Sequence, residues 1–190
     1  MNHSFFARDV VTVARALIGV TMTIDGVGGM IVETEAYDAD DPASHSFSGP
    51  GMRNATMFGA AGAAYVYRIY GLHHCLNVTC GDGAAVLIRA LAPSEGVEVM
   101  RARRATTQAE AMLCAGPGRL CKALGVDLSL DGAPLDALPF AWRDRMTAPP
   151  ITAGPRIGIT RAADVPWRFV LPGSPSLSRR EPNSTPSSRT

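Results

Sequence analysis

From Val10 onward the apolar positions fall at Val10, Val13, Ala14, Leu17 and Ile18, the i, i+3, i+4, i+7, i+8 stripe of an amphipathic helix. Asp9 stands at its start as an N-cap and Gly19 as its stop. The period then shortens to two. Residues 20–24, the turn Asp25-Gly26-Val27-Gly28-Gly29 and residues 30–37 predict a hairpin. Residues 38–62 form a long irregular segment rich in Asp, Ser, Gly, Pro and Ala, which inside a compact domain marks a functional loop. Residues 63–70, 72–80 and 84–91 read as three strands of an antiparallel meander, joined at Gly71 and at Gly81-Asp82-Gly83. Residues 94–104, 108–114 and 118–124 read as helices, and residues 156–160 and 168–171 as closing strands. From residue 174 to residue 190 the only large apolar side chain is Leu177, so the domain is expected over residues 1–173 and a disordered C-terminal tail over 174–190. No repeat is visible, and the sum is one α+β domain.

The alternation places chemistry as well as structure. Along Ile31-Val32-Glu33-Thr34-Glu35-Ala36-Tyr37, period two puts Glu33, Glu35 and Tyr37 on one face and Val32, Thr34 and Ala36 on the other. A solvated strand face explains that pattern as well as a site does. Tyr65 and Tyr67 face one way along the first strand of the meander, and cross-strand packing accounts for tyrosines so placed. Tyr70 falls at the turn, where packing does not account for it. An aromatic on a protruding tip is a wedge candidate, since enzymes that extrude a base fill the gap with such a side chain. His73 and His74, as adjacent strand residues, point to opposite faces, so no metal site is expected. Asn77 is either a structural tie or a reader of a base edge. Arg89 lies inside an apolar run, where a buried cation needs an anionic partner, and Glu35 is the partner expected. Gly116-Pro117-Gly118-Arg119 leads into a helix; it is either a plain turn or a phosphate seat. Arg101, Arg103 and Arg104 read as a solvated helix face.

Composition sharpens three of these points. With 46% hydrophobic and 18% charged residues the chain is not a disordered one, and no apolar run approaches the ~20 residues of a membrane span. With no signal segment visible at the start, a cytoplasmic protein is expected, its four cysteines reduced. The formal charge of +1 argues against bulk coating of nucleic acid, yet residues 45–122 carry eight Arg or Lys against four acids. All four tyrosines lie between Tyr37 and Tyr70, and Lys122 is the only lysine.

With these residues in place the chain resembles the alkyladenine (3-methyladenine) DNA glycosylase family of the mammalian alkyladenine type, which also has bacterial members. The likeness runs from about Arg8 to Ser174. It is carried by Val32-Glu33-Thr34-Glu35-Ala36-Tyr37, by Asp41-Pro42-Ala43-Ser44-His45-Ser46, by Arg53-Asn54 with Met57-Phe58-Gly59, and by Tyr65-Val66-Tyr67-Arg68-Ile69-Tyr70-Gly71. Cys75-Leu76-Asn77-Val78, Leu87-Ile88-Arg89-Ala90-Leu91 and Gly116-Pro117 extend it. The resemblance implies a curved antiparallel sheet, surrounding helices, and a hairpin that enters the DNA minor groove. It implies that Glu35 activates a water with the help of Arg89, that Tyr37, His45 and Tyr67 enclose a flipped base, that Asn77 disfavours guanine, and that Tyr70 is the wedge. Arg53, Gly116 and Arg119 are candidates for the DNA backbone.

The implied reaction is hydrolysis of the N-glycosidic bond of alkylated, also deaminated, purines in duplex DNA, leaving an abasic site for base excision repair, by a monomer that needs no cofactor. An alkylated purine is already cationic and leaves without much acid help, so one carboxylate suffices where glycosidases normally use two. Strand-nicking glycosylases attack with an amine; here the lone lysine lies far from the motif strands, so water is the expected nucleophile. Pro50, Gly51 and Met52 depart from the family's usual loop, which bears on DNA affinity more than on chemistry. Two other classes share these features: a lesion-binding protein without catalysis, and a hydrolase of free nucleosides.

Overall fold

A computed structural model describes residues 1–179. A four-residue helix, α1 (His3–Phe6), precedes α2 (Val10–Leu17), whose N-terminus is capped by Asp9 accepting the Thr12 N–H at 2.8 Å. α2 buries Val10, Val13, Ala14 and Leu17, the face read from its periodicity. β1 (Thr21–Ile24) and β2 (Val27–Tyr37) form the first hairpin. Its turn is tighter than the sequence predicts: Asp25 and Gly26 alone have positive φ, while Val27, Gly28 and Gly29 already pair in β2. A Cβ at Gly28 would overlap the Met22 carbonyl and one at Gly29 the Ala92 carbonyl, so the glycines permit a close approach of β1, β2 and β5.

β3 (Ala64–Ile69), β4 (His73–Gly81) and β5 (Ala84–Glu95) form the expected meander. β5 runs four residues beyond expectation, and α3 (Val97–Arg104) starts only after Gly96 turns the chain with φ +66°. Residues 108–114 contain one short helical turn, at Glu110–Met112, rather than a full helix, and α4 (Pro117–Leu124) follows. The arginines of α3 are not merely solvated. Arg101, Arg103 and Arg104 donate to the carbonyls of Gln108, Ala123 and Leu113 and so fasten α3 to the chain around α4. β6 (Phe140–Arg143) pairs with β1, β7 (Thr152–Gly154) with β8 (Arg168–Val170), and β8 with β2. Residues 156–160, expected as a strand, are irregular.

The strand order is β3-β4-β5-β2-β1-β6, with β8 and β7 attached along β2. β2 is central. One of its sides pairs with β5 along most of its length; the other pairs with β1 as far as Met30 and then with β8 from Glu33 to Glu35. Register shifts flank Glu33, skipping Val32 on β2 and Arg89 on β5. Such irregularities bend strands and increase twist. The sheet accordingly curls into an antiparallel half-barrel, and α2 and α4 pack their apolar faces against it. The fold is therefore the single α+β domain that the sequence predicts.

The packed chain also continues past residue 173, where the tail was expected to begin. Ser176 and Leu177 are buried, Leu177 against Val32, Ala90 and Val170, because the double irregularity turns Val32 and Ala90 toward that side. Residues 180–190 of the expected tail lie outside the described residues. No helix among the described residues is long and apolar enough to cross a membrane.

Candidate active site

The double irregularity in the sheet creates the charge cluster. Strict alternation would place Val32 with Thr34 and Ala36; instead Val32 packs with Ala90 and Val170, while Thr34 donates to the Ala14 carbonyl on the α2 side. Val32 and Glu33 thus share one side of β2, and Arg89 and Ala90 share the matching side of β5. Arg89, skipped in the ladder, reaches across to both acids. Its Nη1 donates to Glu35 Oε2 at 3.0 Å and its Nε to Glu33 Oε1 at 3.2 Å. The expected Arg89–Glu35 pair is present. Glu33 is the partner that sequence reasoning missed, and it is the more heavily engaged: Arg168 Nε donates to it at 2.7 Å, and the Ser178 N–H and hydroxyl at 2.6 and 2.8 Å.

Glu33 and Glu35 are fully buried and Arg89 nearly so. Burial alone would lower the Arg89 pKa, but the Glu35 and Glu33 carboxylates outweigh it and raise it above the ordinary guanidinium value. The cation is secure. Glu35 accepts two further hydrogen bonds, from the Tyr37 hydroxyl to Oε2 at 2.8 Å and from the Ile157 N–H to Oε1 at 2.7 Å. Among the described residues three of the roughly four acceptor sites of this carboxylate are therefore used, and the open one is on Oε1.

Next to this pair lies a cleft of about 240 Å³, lined by Tyr37, His45, Tyr67 and Asn77 together with Met57, Tyr65, Ile69 and the 157–159 loop. The three residues expected to enclose a base, and Asn77, expected to disfavour guanine, are thus brought together. Glu35 and Arg89 stand behind its wall, reached through Tyr37 and Ile157, both of which line the cleft and bond Glu35. The His45 and Tyr67 rings meet edge-on with centroids 4.5 Å apart, and Tyr65 tilts against Tyr67 at 5.5 Å. Tyr65 packs as expected, and its hydroxyl also bonds His45 Nδ1 at 2.9 Å. Asn77 Nδ2 donates to the Tyr65 carbonyl at 2.9 Å, so it is a structural tie that also borders the cleft. Burial pushes the Tyr37 and Tyr67 phenols well up and that of Tyr65 up to about 12, so all three stay neutral. Burial, and then the Arg53 charge, lower the His45 pKa below its ordinary value and favour the uncharged imidazole.

Two more residues that sequence reasoning missed hold this wall. Arg156 is buried, bonds both oxygens of Asp41 and the Ala36 carbonyl, and stacks over the Tyr37 ring at 4.7 Å from its centroid. Asn54 donates to the carbonyls of His45 (2.8 Å) and Gly49 (3.2 Å) and accepts from the Gly51 N–H, tying the divergent loop to the cleft. A motif search joins neighbours along the chain, and these partners are distant in it or carried by backbone.

The remaining candidates lie outside the cleft. Arg53 lines an adjoining groove of about 590 Å³ with Met52, Arg68 and Ile69. Tyr70 crowns the β3–β4 turn, 84% exposed, at φ +52°. Gly116 is buried and its N–H is committed to the Cys114 carbonyl at 3.0 Å, while Arg119 is exposed on α4; neither borders the cleft. Lys122 also lies on α4, away from the cleft. Among the described residues no group of three or more His, Cys, Asp or Glu could hold a metal ion.

Comparison with known proteins bears on this geometry. A family model described as methylpurine-DNA glycosylase matches residues 4–175. A protein of Rhodopseudomonas palustris strain HaA2 is 56% identical over 94% of this chain and 90% of its own length. Relatives from Nitrosospira multiformis (55%, covering 94% of each chain) and Agrobacterium fabrum (52%, covering 94% of this chain and 92% of the relative) are similar. All three carry 3-methyladenine DNA glycosylase as a provisional name. The chain belongs to the methylpurine-DNA glycosylase family, a family of DNA glycosylase enzymes.

Proposed function

We propose that the protein hydrolyses the N-glycosidic bond of a purine flipped out of duplex DNA, alkylated purines first and deaminated ones as well, with water as nucleophile and an abasic site as product. The observation that carries this reading is the buried Glu35 carboxylate, held by Arg89, Tyr37 and Ile157 with one acceptor site open, against an aromatic cleft. A water at Oε1 is oriented by that open lone pair and gives up its proton to Glu35 as it attacks C1′. As the glycosidic bond lengthens, positive charge builds on the sugar, and the same carboxylate stabilises it electrostatically. A cationic alkylated purine leaves as a neutral base and needs no second acid; a neutral purine such as hypoxanthine leaves with the bonding electron pair and takes up one proton, from solvent, as the bond breaks. The cleft, about 240 Å³, is smaller than the ~300 Å³ and above of sites for larger ligands, which suits a single base.

Tyr37, His45 and Tyr67 sandwich that base. Asn77, fixed by the Tyr65 carbonyl, stands where the extra amino group of guanine meets a rigid obstacle. Tyr70 fills the gap in the stack, and its exposed tip leaves it little other packing. Arg53 and Arg119 contact the backbone; Gly116, buried with its N–H on the Cys114 carbonyl, has no donor to offer it. The enzyme acts as a monomer in the cytoplasm.

The test is incubation of wild-type protein with duplexes carrying ethenoadenine, hypoxanthine or 3-methyladenine. Free base is released, strands break only after alkali, and borohydride traps no protein–DNA adduct. A trapped adduct overturns the water-nucleophile reading. Binding without base release makes the protein a lesion binder instead.

A further inference from the structure

The Arg89 guanidinium is held from three directions, and one of them is chain that composition alone marks as tail. Nη1 donates to Glu35, Nε to Glu33, and both Nε and Nη2 donate to Ser178 Oγ, at 3.4 and 3.3 Å. The same hydroxyl gives its proton to Glu33 Oε1 at 2.8 Å. A hydroxyl can accept from a guanidinium while donating to a carboxylate; a methyl group can do neither. Nη2 has no other acceptor among the described residues. The segment does not depend on this hydroxyl to stay in place. The Ser178 N–H donates to Glu33 Oε2 at 2.6 Å, Leu177 is buried against Val32, Ala90 and Val170, and Arg168 Nη2 donates to the Arg179 carbonyl at 3.2 Å.

We propose that Ser178 is a positioning residue for the Glu35–Arg89 pair, a role that rests on reading that pair as the catalytic one. Glu33 and Glu35 compete for one guanidinium. An arginine fork on a carboxylate is strongest when it is bidentate. Glu33 offers Arg89 that arrangement if the group rolls about its long axis, and the roll withdraws Nη1 from Glu35. Ser178 Oγ blocks it by occupying the Nε–Nη2 edge and one lone pair of Glu33. The guanidinium is left with Nη1 on Glu35 Oε2, which fixes the carboxylate so that Oε1 faces the water.

The consequence is a rate effect, since Ser178 borders neither the cleft nor the adjoining groove. Ser178→Ala is expected to lower the single-turnover excision rate by about 10- to 100-fold, the scale of a catalytic group misplaced by about 1 Å. Its affinity for lesion duplex stays that of wild type. Ser178→Thr, which keeps the hydroxyl, restores the rate. Glu35→Gln is measured beside them. If Ser178→Ala keeps the wild-type rate while Glu35→Gln is inactive, or if Ser178→Thr is as slow as Ser178→Ala, the positioning role is wrong and the catalytic pair stands. If Glu35→Gln is active, the catalytic pair is wrong and the positioning role falls with it.

Discussion

Two carboxylates two residues apart have different roles. Glu33 accepts four hydrogen bonds, from Arg89, Arg168 and twice from Ser178, away from the cleft, which makes it a structural anion; Glu35 accepts three, two of them from cleft-lining residues, Tyr37 and Ile157. The Glu35–Arg89 pair was legible in the sequence because a buried cation demands an anion and the meander limits the choice. The division of labour was not legible, since the Glu33 partners come from 135 and 145 residues away. His45 entered only through family likeness; without its ring contact to Tyr67 and its bond to Tyr65 it is one more loop histidine. Its lowered pKa has a testable sign. The unfolded chain takes up a proton near pH 6.5 before the folded one does, so this contribution to stability is present above about pH 6.5 and is lost as pH falls toward the lower folded value. Melting temperature measured from pH 7.5 to 5 should fall less for His45→Gln than for wild type, and identical slopes would show that His45 does not titrate this way.

At the scale of elements, periodicity located α2, the first hairpin and the meander, and it failed where tertiary contacts took over. Residues 156–160 have strand-like composition, but the Arg156 side chain bonds the Ala36 carbonyl and Asp41 and the Ile157 N–H bonds Glu35, so this stretch is a wall of the site. The bulged β2–β5 ladder is equally invisible to alternation, because it moves Val32 and Arg89 by one position without changing a residue. The β3–β4 hairpin carries its proposed wedge at a cost in stability. Tyr70 occupies the left-handed region at φ +52° while 84% exposed, a conformation that costs a non-glycine residue roughly 1–2 kcal/mol and that asparagine tolerates. Tyr70→Asn should therefore unfold in urea with equal or up to about 1 kcal/mol greater stability, yet excise lesions from duplex DNA more slowly. A clear loss of stability would show that the ring is there for packing, and undiminished excision would remove it as the wedge.

At the scale of the molecule, the half-barrel fixes what the site can do. β2 carries Glu33, Glu35 and Tyr37, β5 brings Arg89, β3 and β4 bring Tyr67 and Asn77, and the 38–62 loop lays His45 over them. The +1 total charge is an average over an acidic N-terminal stretch, residues 1–44, and a cationic remainder, and the acids of β2 and its following loop are largely consumed internally, by Arg89, Arg168 and Arg156. The solitary lysine lies on α4, away from the cleft, and the nucleophile we propose is accordingly a water activated by Glu35. That claim is tested most directly by single-turnover release of ethenoadenine from duplex DNA by wild type and by Glu35→Gln, with lesion affinity measured in parallel. Loss of release in the variant by a factor of at least about 100, the lower end of what a general base contributes, with binding retained, is the expected result; release at the wild-type rate would contradict it.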